Sequence, residues 1–176
     1  MRTTPRVLLT LALLLTALVV QLGFASRLHL PGATPDVVLV TLVALAMRNG
    51  SLHGCVAGFL TGLSLDLAPP SDHAVGRWAL VLCLVGYLAG LFDDGVDRSA
   101  LFPVGVVASA SVLTTLAYSA LGAVIGEPGA TWSMVARVLP WAVIYDVVLT
   151  PFVFLVVAGL ATRVAPDPLR RRSGVR

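Results

Sequence analysis

Few side chains in this 176-residue sequence could do polar chemistry, because 57% of its residues are hydrophobic and 12% are charged. The ones that matter most lie inside or at the ends of apolar runs. Asp146 sits about five residues into a run starting near Trp141, between Tyr145 and Val147-Val148, so roughly 7–8 Å deep at ~1.5 Å per helical residue. An acid at such depth is costly and pairs or faces the interior of a bundle. Asp36 opens a second run, Asp66 closes a third, and Arg137 lies in Trp132–Leu139 just before Pro140. The sequence predicts that Asp36, Asp66, Arg137 and Asp146 share one depth and form an intramembrane polar network. The plainer alternative for Asp36 and Asp66 is that each caps a helix end among the headgroups.

A second pattern concerns packing. Gly54, Gly58 and Gly62 recur every four residues, with Asp66 at the next step, which on a helix lines them along one stripe. Absent side chains let another backbone come close, and close packing drives helix association in lipid. The stripe therefore predicts a helix-contact face, met by another helix of the chain or by a partner. Gly86 and Gly90 repeat the device more weakly, as do Gly122 and Gly126.

No catalytic, cofactor-binding or metal-binding set is predicted. His29, His53 and His73 fall in loops or at span ends, and there is no HExxH, GxSxG, P-loop or GxGxxG. Cys55 and Cys83 lie in apolar runs without metal-ligand spacing and read as small buried hydrophobes. Asp93-Asp94-Gly95-Val96-Asp97-Arg98 only superficially resembles a calcium loop, lacking the twelfth-position Glu. The chain reads as a non-enzyme.

The elements that position these residues follow from composition. Soluble domains carry about 25% charged residues, so the charges here are too few to cover a water-facing surface. The reading is an all-α polytopic membrane bundle in a single domain. Its six spans run at about 7–26, 35–47, 52–68, 78–92, 101–126 and 141–162, each break marked by Pro, Gly or charge. The second is short, which leaves five spans as the alternative count. Residues 132–139 read as a separate interfacial helix, with Trp132 and Trp141 at headgroup level. The N-terminal run reads as a retained first helix, Phe24-Ala25-Ser26 being a poor cleavage site.

All twelve basic residues are Arg, and net charge is +3. With both termini cytoplasmic, Arg2, Arg6, Arg48, Arg98, Arg163, Arg170, Arg171, Arg172 and Arg176 lie inside, and Arg27, Arg77 and Arg137 outside. Nine against three fits the positive-inside rule. The Arg-rich tail, 163–176, would rest on anionic lipid. The scattered charge is no nucleic-acid footprint.

Several short motifs occur in a telling order. Pro35-Asp36 opens a run, and Gly58-Phe59-Leu60-Thr61-Gly62-Leu63-Ser64-Leu65-Asp66 follows. Gly86-Tyr87-Leu88-Ala89-Gly90 comes next, and Tyr145-Asp146 precedes Pro151-Phe152. This order, over most of 35–157, resembles the rod shape-determining MreD family. Asp rather than Asn at 146 and the Pro69-Pro70 loop depart from the family pattern. The resemblance implies a multi-pass cell-membrane scaffold of the elongation machinery. Such a protein binds the single-span MreC and, through it, helps couple MreB filaments to peptidoglycan synthesis by RodA and its transpeptidase partner. It also implies a fold similar to substrate-binding subunits of energy-coupling-factor transporters. The rival function is a small-molecule-binding subunit of a transporter, with the outer polar cluster as its site.

Overall fold

A computed structural model describes residues 3–23, 32–68, 75–92, 101–126 and 131–164. These form six α-helices: α1 Thr3–Gly23, α2 Val37–Asn49, α3 Ser51–Leu67, α4 Arg77–Ala89, α5 Phe102–Ile125 and α6 Trp132–Val164. No strand occurs among the described residues. Arg2, Arg27, Arg98, the Asp93–Arg98 loop and the arginines at 170–176 lie outside them.

Two helices, Phe102–Ile125 and the Trp132–Ala161 part of α6, are long and apolar enough to cross a membrane, and three more are apolar but shorter. α6 differs from expectation. Residues 132–139 do not form a separate helix; they continue through Pro140 and Pro151 into one 33-residue helix. A proline removes one backbone donor, and in helices packed among others the freed carbonyl can be satisfied locally.

α2 is the hub. It packs against every other helix, and each residue from Val38 to Met47 is buried. Uniform burial matches its sequence, where Thr41 is the one polar side chain before Arg48 and an apolar helix without a polar face is surrounded by others. α2 and α3 are joined through Gly50 at φ +89°, a left-handed setting that favours glycine. Large apolar side chains point outward on all the helices flanking the hub, among them Leu15, Leu52, Leu80, Val124 and Leu155.

The tightest packing joins α3 to α4. A β-carbon added at Gly54 would collide with the Gly86 carbonyl, one at Gly58 with the Leu82 carbonyl, one at Gly62 with the Trp78 carbonyl, and one at Gly90 with Ser51. The stripe and the Gly86/Gly90 pair thus meet each other. Of the two occupants left open by spacing, the one seen on the glycine face is a helix of the same chain, α4. Cys55 and Cys83 come together in the same seam, their Sγ atoms 3.1 Å apart. They sit only partly buried, as free thiols.

Candidate functional site

α2 and α4 have 13 residues each, about 20 Å at ~1.5 Å per residue. Each is shorter than the other four helices, and its start is partly buried. Its first amide N–H groups have no partner within the helix, so neighbouring side chains must supply acceptors. The acids do this.

At α4 the acceptor is Asp66, fully buried at the end of α3. Its carboxyl accepts from the backbone N–H groups of Gly76 at 2.9 Å, Trp78 at 3.1 Å and Ala79 at 3.1 Å. Gly76, at φ +97°, turns the chain so that these donors converge; a side chain there would strain the backbone. The partial positive charge of the helix start adds to the attraction.

At α2 three elements share the task. Asp36 is the N-cap and accepts from Leu39 N–H at 2.9 Å. Gln21 of α1 accepts from Val37 N–H at 2.9 Å. Asp146, buried in α6, accepts from Asp36 N–H at 2.8 Å. The Ser111 hydroxyl of α5 donates to the same Asp146 carboxyl, while Thr150 returns its hydroxyl to the Asp146 carbonyl at 2.7 Å. α1, α2, α5 and α6 are thereby tied at one point.

The four charges predicted as one network therefore separate. Asp36 and Asp146 meet. Asp66 serves α4 instead. Arg137 is exposed on α6 and belongs to neither cluster, because depth along the membrane normal says nothing about which way a helix turns its residues.

Among the described residues the buried cation is Arg77, which the Arg count had placed simply among outer charges. It is 5% exposed. Its Nε donates to the Tyr118 carbonyl at 2.9 Å and Nη2 donates to the same oxygen. The guanidinium lies 3.5 Å from the Tyr118 ring centroid, a cation–π arrangement. Trp78 packs against Tyr118 with ring centroids 4.4 Å apart. A β-carbon at Gly122 would strike the guanidinium, so the missing side chain one turn after Tyr118 makes Arg77's room. The Tyr118/Gly122 spacing was the available signal.

Two concave regions stand out among the described residues. One is a groove of about 500 Å³ between α1 and α3, with Leu45 and Ala46 of α2 also lining it. The other is a cavity of about 480 Å³ lined by Asp36, Asp146, Ser111, Thr114, Trp78 and Tyr118, with apolar residues of α6. Among the described residues no group of three or more His, Cys, Asp or Glu side chains could hold a metal ion. No family model matches the chain, and neither a curated protein nor a solved structure matches it.

Proposed function

We propose that this chain is a non-enzymatic, multi-pass membrane scaffold of the MreD kind, and that its α1–α3 groove receives the single span of an MreC-like partner. The observation that carries the reading is how the motif residues are used. Asp36, Gly58, Gly62, Asp66, Gly86, Gly90 and Asp146 go into holding helix to helix. A framework so committed internally acts on others through what it leaves open.

The six helices serve as six spans in this reading, the short ones sunk among the longer. The outward apolar side chains then face lipid tails; over water they would form patches far larger than monomeric soluble proteins carry. Both termini lie on the cytoplasmic side, and coupling to MreB, RodA and the transpeptidase runs through the partner.

The groove suits a helix. Its α1 wall carries Val7, Leu11, Leu14, Leu15 and Leu18, a length of about 17 Å at ~1.5 Å per residue. Its α3 side presents Ala57, Thr61 and Ser64 at helical spacing. Thr61 donates to the Ala57 carbonyl at 2.7 Å and Ser64 to the Leu60 carbonyl at 2.9 Å, so their hydroxyls are already spent. The stripe behaves as small and nearly apolar, the type of surface that lets helices approach in lipid.

The test fills the groove. Ala57→Phe with Ser64→Phe should abolish co-purification of a single-span partner from mild detergent, while Leu155→Phe on the outer side of α6 should leave it intact. Retained binding by the filled groove, with normal expression, overturns this docking site.

A further inference from the structure

Beside the α2 start, the ties between helices leave open acceptor sites on two acids and one unmatched hydroxyl. We propose that the cavity between α2, α4, α5 and α6 binds a small organic ammonium compound with a hydrogen-bonding oxygen within about one helical turn, ~5 Å, of its nitrogen.

Three observations carry this. The first is space: about 480 Å³, within the ~300–1,000 Å³ range of ligand pockets.

The second is charge. Asp36 and Asp146 lie side by side at the start of α2, close enough to interact electrostatically. Neither pairs with a basic side chain among the described residues. Arg77 also lines the cavity, but its guanidinium is laid on the Tyr118 ring and carbonyl. A carboxylate has about four acceptor sites; Asp146 has two of them assigned, to Asp36 N–H and Ser111. An ammonium group supplies donors for the acceptor sites still open on the two carboxyls.

The third is Thr114. It lines the cavity one turn along α5 from Ser111, is 5% exposed, and its hydroxyl has no hydrogen-bond partner. A buried hydroxyl left unmatched is costly, and a threonine in a helix normally has the carbonyl one turn back to turn to. A ligand oxygen at this level completes it. Val135 and Val138 of α6 give part of the wall an apolar surface for the ligand's body, alongside Trp78 and Tyr118.

The experiment titrates the purified full chain in detergent micelles at neutral pH, following thermal unfolding and calorimetric heat. The probes are phenylalaninol, phenethylamine (no oxygen) and 3-phenylpropan-1-ol (no amine). Phenylalaninol should stabilise the protein saturably and bind about tenfold more tightly than the neutral alcohol. Asp146→Asn should erase that preference while keeping the fold, because its amide oxygen can still accept from Asp36 N–H. Thr114→Val, of the same shape, should erase the preference for phenylalaninol over phenethylamine. Three outcomes each overturn the proposal: no saturable binding by either amine, equal binding of the neutral alcohol, or unchanged preferences in both variants.

Discussion

Replacing Asp66 gives a graded prediction. Asp66→Ala strands three backbone donors at the start of α4, those of Gly76, Trp78 and Ala79. Ala79 is 1% exposed, and the bonds from Gly76 and Trp78 are partly buried. An unmatched buried donor costs about 1–3 kcal/mol. Three of them, which are not fully additive, bring the expected loss to about 3–5 kcal/mol. Asp66→Asn retains one acceptor oxygen. Placed where Oδ2 stands, it keeps the bonds from Gly76 and Ala79 and loses the one from Trp78, a loss of about 1–2 kcal/mol. The ranking is therefore wild type, then Asn, then Ala, with Ala two to three times as damaging as Asn. Denaturation by sodium dodecyl sulfate from mild-detergent micelles measures it, with the Trp78 environment as a fluorescence probe. Equal stability of Asp66→Ala and wild type would refute the capping argument. So would equal damage by Asn and Ala, because a role based on charge alone does not distinguish them.

Further predictions follow from the same contacts. Gly58→Leu should disrupt the α3–α4 seam and sharply lower the yield of folded protein, because the Leu82 carbonyl occupies the space; size-exclusion profiles report it. Mild copper-phenanthroline oxidation should join Cys55 to Cys83, whose sulfurs are 3.1 Å apart. Cutting at a protease site engineered in the 69–74 segment then leaves the halves linked until reductant is added. Gly122→Val should push Arg77 off Tyr118 and cost about 1–3 kcal/mol, with Arg77→Ala partly relieving the clash in a double-mutant comparison of melting temperatures.

How far the sequence led depended on what kind of information each feature carries. The four-residue glycine spacing announced a contact face, because a helix turns such positions into one line. It could not say that α4 fills that face, since glycine records an absence and names no partner. The depth of Asp36 and Asp146 was readable by counting residues from the run boundaries, and these two meet. Asp66 and Arg137 were expected at that same depth but face elsewhere, and helix rotation is fixed by packing against neighbours. The central place of α2 was hidden for a different reason. Its uniform apolarity would mark a buried helix in a soluble protein, but every helix here is apolar, so the contrast is lost. Arg77 was masked by its position at the edge of an expected span, where arginines are ordinary; the ring at Tyr118 and the gap at Gly122 that house it lie some 40 residues later.

The scaffold account stands on the α1–α3 groove being the partner's seat. A photoreactive amino acid placed at Leu15 or Leu60, which face outward from α1 and α3 at 61% and 49% exposure, can be compared with one at Leu155, on α6 at 72%. After irradiation in intact cells, the groove positions should each yield one dominant adduct with a single-span membrane protein, and Leu155 should not. Adducts absent from both groove positions, or appearing only from Leu155, would contradict the account.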